Sequence, residues 1–162
     1  SISKAKLVLD KSTSPNGYRI SSDGEVKFSK DESKLYFGLA LPEIVQDTLL
    51  LKEEIVNVEV WTYDEPRLYT VQEQQVKNDK KKSFQTVYHL KEDKIIQIAT
   101  KEFPNALLSN EGDGDYALIS NPEPYQLSSQ WTALFSKNDL AVININKIVI
   151  IAPICDPILI KR

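Results

Sequence analysis

The chain has 162 residues, 41% of them hydrophobic and 27% charged, with a formal net charge of −3 at neutral pH. That length suits one domain, and that apolar share can fill a core, which excludes a globally disordered chain. The mild acidity excludes the clustered cations that a nucleic-acid partner demands. The one basic run, Lys80-Lys81-Lys82, sits among the turn formers Asn78, Asp79 and Ser83 and reads as a solvated turn.

Cys155 is the only cysteine, so no intrachain disulfide can form. That is compatible with a reducing compartment and does not exclude export. No Met occurs, even at position 1, so the expectation is a processed product or an excised internal segment. No apolar run approaches the ~18–20 residues that span a bilayer. The run from Ile148 to Cys155 is short and is broken by Pro153.

In chain order, the elements are short runs of β type. Lys6 to Leu9 comes first and is closed by Ser14, Pro15, Asn16 and Gly17. Leu35 to Ala40 follows and ends before Pro42. Gln46 to Ile55 carries weak helix signals, with Asp47 as a cap. Asn57 to Tyr63 alternates cleanly: Val58, Val60 and Thr62 share one face, and Glu59, Trp61 and Tyr63 the other. Thr70 to Lys77 has helix signals as weak as the first, without a sustained apolar stripe. Phe84 to Leu90 alternates again, then Ile95 to Ala99 follows a turn at Lys91-Glu92-Asp93. Tyr116 to Ser120, Leu140 to Ile145 and Ile148 to Ala152 complete the set. Short strands separated by regular turn signals point to an all-β fold of antiparallel sheets.

One pattern occurs twice. Phe28-Ser29-Lys30-Asp31 leads to Leu35-Tyr36-Phe37, and Leu108-Ser109-Asn110-Glu111 leads to Tyr116-Ala117-Leu118. A repeated unit marks an array such as a β-propeller. The spacing exceeds the ~40–45 residues of a simple blade. Insertions around Pro42 to Val56 and Asp64 to Ser83 account for the excess.

Phe-Ser-x-Asp before Leu-Tyr-Phe resembles the blade-opening signature of TolB-like and prolyl-oligopeptidase-type propellers, where the Ser and Asp organise the turn. Val58-Glu59-Val60-Trp61-Thr62-Tyr63 resembles their second blade strand. With Asp64-Glu65-Pro66-Arg67-Leu68 and Pro124-Tyr125-Gln126-Leu127-Ser128-Ser129-Gln130-Trp131, it resembles the non-catalytic propeller region of secreted S9-family (prolyl oligopeptidase) serine peptidases. The resemblance covers roughly Tyr18 to Asn146. It implies a propeller segment over 1–146, with 147–162 as a further strand or tail. It also implies an α/β-hydrolase domain as partner, peptide as substrate, and a periplasmic or extracellular location. This chain departs from the family in lacking a Gly-x-Ser-x-Gly nucleophile elbow, and in passing from Asn146 into Lys147-Ile148-Val149 without a Gly-containing turn.

The chemistry available is sparse. His89 is the only histidine and lies on a strand face, where no Ser or Asp partner can be assigned, so no catalytic residue is expected. Cys155 reads as a small hydrophobe. Glu111, Asp113 and Asp115, with Gly112 and Gly114, offer hard oxygen ligands but lack EF-hand order, and a tight turn is the simpler reading. One His and one Cys cannot build a structural zinc site, and no cofactor is expected. Trp61, Tyr63, Tyr69, Tyr125 and Trp131 have two readings: packing between sheets, or a groove that binds peptide or sugar.

The expectation is therefore a partial β-propeller, with a β-sandwich as the alternative architecture. One blade is drawn from Leu35–Ala40, Asn57–Tyr63, Phe84–Leu90 and Ile95–Ala99, and the later strands start the next. The resemblance implies that its function is to restrict peptide access to a catalytic domain. The alternatives are a free-standing TolB-like interaction scaffold and a carbohydrate-binding β-sandwich. An unclosed array would expose edges and an apolar face, so self-association is also expected.

Overall fold

The computed structural model describes residues 7, 9–10, 14–43, 62, 65–132, 137–147 and 149–154. Among these, two antiparallel sheets hold all the strands. Sheet 1 contains β1 (Arg19–Ile20), β2 (Lys27–Phe28), β3 (Lys34–Ala40), β4 (Phe84–His89) and β5 (Lys94–Gln97). Sheet 2 contains β6 (Asn105–Leu108), β7 (Tyr116–Asn121), β8 (Asp139–Asn144) and β9 (Val149–Ile154). Helix α1 (Tyr69–Lys80) lies between β3 and β4, and α2 (Glu123–Thr132) between β7 and β8. The protein is all-β, built from blade-like antiparallel sheets.

β1 and β2 share one edge of β3, pairing with its last and first residues respectively. The intervening bulge brings Gly24 against Gly38 so closely that a Cβ on Gly38 would lie 2.8 Å from the Gly24 Cα. Gly is required there because two backbones meet with no room for a side chain.

Alternation along the strands serves two faces. Tyr36, Val87 and Ile96 form one cross-strand row of sheet 1 and pack on Ala117, Ile119, Ala141 and Ile143 of sheet 2. On the other face of sheet 1, Phe37, Leu39 and Tyr88 are buried with Leu9, Tyr18, Leu35 and Ile95 against them. Tyr18 meets Phe84 edge-to-face, with ring centroids 5.5 Å apart. Leu39, Val87 and Ile96 are wholly removed from water, each worth roughly 1.5–3 kcal/mol of burial.

The two sheets are copies of one unit. Ser29 and Ser109 each open a turn and reach the first residue of the next strand: the Ser29 hydroxyl accepts from the Lys34 N–H, and the Ser109 hydroxyl donates to the Tyr116 carbonyl. Lys34 pairs with His89 as Tyr116 pairs with Asn144. His89 pairs with Lys94 as Asn144 pairs with Val149. The Leu90 N–H reaches the Ser33 carbonyl as the Ile145 N–H reaches that of Asp115. Tyr36 thus corresponds to Leu118, and Val87 to Val142.

The equivalence decides how the sheets are related. The Tyr36–Val87 row faces sheet 2, but the corresponding row of sheet 2, Leu107–Leu118–Val142, faces away from sheet 1. The sheets therefore pack head to tail, through non-equivalent faces.

One expectation differs from this arrangement. The blade drawn through Asn57–Tyr63 places that run between Leu35–Ala40 and Phe84–Leu90, yet β3 and β4 pair directly over six residues. Apart from Thr62, the run from 57 to 63 lies outside the described residues, as do Gln46–Ile55 and, in Lys6–Leu9, Lys6 and Val8. The segment Pro124–Trp131 belongs to a helix. The segment after Asn146 contributes β9, which pairs along β8 with a bulge between Val142 and Ile143.

Candidate functional site

Two ends of the sheet pair carry the polar side chains. At the turn end, Asp31 Oδ1 accepts from the Ser29 hydroxyl (2.7 Å), the Ser33 hydroxyl (2.8 Å) and the Ser33 N–H (3.0 Å). These bonds hold its carboxyl well below the usual carboxylate range. The Ser–Asp turn is thus built from its own side chains, with Glu32 at φ 58°.

The same turn grips sheet 2. The Asp31 N–H donates to Asp113 Oδ1 at 3.0 Å. Lys34 Nζ donates to the carbonyls of Asp113 (2.8 Å) and Gly114 (3.2 Å), and the Tyr36 hydroxyl to that of Gly112 (2.7 Å). Burial, then the nearby carboxylates of Asp113 and Asp31, push the Tyr36 phenol up to about 12. His89 is buried, with Nε2 2.8 Å from the Ile145 carbonyl.

The cation reading of Glu111, Asp113 and Asp115 meets a different geometry. Glu111 pairs with Lys30 at 3.4 Å, Asp113 accepts from Asp31, and Asp115 accepts from the Asn146 amide at 2.8 Å. Each carboxylate already serves a separate protein group. Among the described residues no three His, Cys, Asp or Glu side chains gather as a ligand set. The turn they occupy has Asn110, Glu111 and Gly112 all at positive φ.

At the opposite end, the two inserts meet. Gln130 of α2 donates from Nε2 to the Pro66 carbonyl (2.9 Å) and accepts at Oε1 from the Leu68 N–H (3.0 Å). Arg67 binds Asp79 bidentately (2.8 and 3.2 Å) and Gln75 (2.7 Å), tying the start of α1 to its end. Between the inserts and the sheet edges lies a cleft of about 370 Å³, lined by Arg67, Gln72, Lys82, Asn105, Glu123 and Gln126 among others. It is polar and carries both signs of charge, which suits hydrogen bonding to an extended backbone more than burial of an apolar ligand.

Of the aromatic set, Tyr69 and Tyr125 lie half-buried on the two inserts, and the Tyr125 hydroxyl donates to Asp139 at 2.7 Å. Trp131 is 73% exposed at the end of α2. Trp61 and Tyr63 fall outside the described residues, as does Cys155. Sequence reasoning misses the seam residues Lys34 and Tyr36 and the clamp residue Gln130. Lys34 carries a signal, a cation opening an otherwise apolar strand; Gln130 carries none.

No family model, curated protein or solved structure matches this chain. No helix among the described residues is long and apolar enough to cross a membrane.

Proposed function

We propose that this chain is a non-catalytic section of a β-propeller that restricts and guides peptide access to a catalytic domain of the S9 serine-peptidase type. The observation that carries the reading is the head-to-tail packing of two equivalent sheets. Sheets that pack through equivalent faces satisfy each other and stop, as in a sandwich. Sheets that pack through non-equivalent faces leave one face open at each end, and the arrangement propagates until it closes into a ring. The Ser–Asp turn before β3, the resemblance to propellers of that family, and inserts gathered at one end of the sheets support the same reading. The mechanism is steric: a rigid ring admits an extended chain and excludes a folded protein, and the polar cleft between the inserts offers backbone partners at the rim. A free-standing scaffold would share the architecture and differ only in having no hydrolase attached.

The test is activity-based labelling of the full-length gene product with a fluorophosphonate. Labelling at a serine outside residues 1–162, with cleavage of short peptides and sparing of the same sequences in folded proteins, is the expected result. The 162-residue chain alone should hydrolyse neither peptide nor ester. Labelling within residues 1–162, or a full-length product that does not react, would overturn the proposal.

A further inference from the structure

We infer that the outer face of sheet 2 is the docking surface for a third β-sheet of the same repeat, carried later in the same polypeptide. The inference rests on the propeller reading and names the partner of one face. Leu107, Leu118 and Val142 form a continuous cross-strand apolar row on that face. Leu107 is 68% exposed, Leu118 37%, and Tyr116 on the same face 48%. An apolar row so open to water on a sheet is costly unless something covers it.

The internal repeat says what the cover is. The row occupies the positions that Tyr36 and Val87 occupy in sheet 1, where they are 2% and 0% exposed because sheet 2 packs on them. Sheet 2 presents there a surface of small and aliphatic residues, Ala117, Ile119, Ala141 and Ile143. The occupant is therefore a sheet offering a comparable surface of alternating small and branched aliphatic side chains. Tyr116 stands at the position of Lys34, whose ammonium bonds to main-chain carbonyls of the neighbouring turn. Its hydroxyl is placed to donate to the equivalent carbonyls of the third sheet.

The experiment places the photo-crosslinker p-benzoylphenylalanine at position 118 of the full-length gene product and maps the products by mass spectrometry. Cross-links to residues beyond 162 of the same polypeptide are expected. Cross-links to a second copy, to another protein, only within residues 1–162, or none at all, overturn the inference. A companion pair of variants separates docking from a general surface effect. Leu118→Lys should lower the melting temperature of the full-length product by more than ~5 °C. Leu90→Lys, an exposed leucine on the β4–β5 turn, should leave it in place, and equal shifts count against the docking surface. A product that shows these cross-links but no fluorophosphonate reactivity keeps this inference and loses the peptidase reading.

Discussion

A tight constraint on a single residue sits where the bulge between β1 and β2 folds over β3. A Cβ on Gly38 would lie 2.8 Å from the Gly24 Cα and 2.9 Å from the Ser83 Cβ, both inside contact distance. Neither neighbour is the end of a flexible side chain, so Gly38→Ala should destabilise the fold by about 1–3 kcal/mol, read from urea denaturation. An unchanged midpoint would show that the bulge can lift away from β3. Tyr36 supplies a pH dependence. Burial and the neighbouring carboxylates push its phenol up to about 12 in the folded protein, from an ordinary 10.0. A raised value means that the folded state holds the proton more firmly. The contribution is then fully present below pH 10 and lost as pH rises from 10 towards 12. Tyr36→Phe should remove that part of the alkaline decline, and should itself cost ~0.5–1.5 kcal/mol at neutral pH through loss of the bond to the Gly112 carbonyl.

At the scale of elements, the helices stand apart from the sheets. Neither α1 nor α2 has a buried residue among those described. Their positions depend on polar ties, chiefly the Gln130 clamp to Pro66 and Leu68. Gln130→Ala should therefore shift overall stability by less than ~0.5 kcal/mol, as surface changes do, while speeding amide exchange across 65–72 and α2. Unchanged exchange would assign the docking of the inserts to other contacts. The same weakness explains what could be read in the chain. Leu35–Ala40 and Phe84–Leu90 announce themselves because each serves two buried faces with apolar and aromatic side chains. β1 and β2 are two residues long and β6 four, too short for alternation to register. α1 lacks an apolar stripe because it buries nothing. α2 did leave a start signal: Asn121 Oδ1 accepts from the Glu123 N–H, beside Pro122 and Pro124. Asn57–Tyr63 alternates without naming a partner. Its alternation marks strand character but says nothing of which strand it pairs with, and β3 pairs with β4 instead.

For the molecule as a whole, the echo between Ser29 and Ser109 was visible in the sequence as a pattern, but its meaning needed the register. Only the pairing of Lys34 with His89 and of Tyr116 with Asn144 aligns the two units and reveals packing through unlike faces. The candidate site was less legible, because the inter-sheet seam is written in hydrogen bonds that join residues 56 to 82 positions apart. That seam has an evolutionary consequence. Sheet 1 contributes named side chains, Lys34, Tyr36 and His89, while sheet 2 mostly contributes main-chain carbonyls, at Gly112, Asp113, Gly114 and Ile145. Carbonyls are present whatever the residue. Selection should therefore hold the first set fixed, together with Asp113, whose carboxylate accepts from the Asp31 N–H, and let the rest of the turn 110–115 drift in composition so long as its path is kept. Gly112 is also constrained: its φ of +93° and a would-be Cβ 2.9 Å from the Tyr36 ring bar any other residue, so it should persist wherever the tyrosine does.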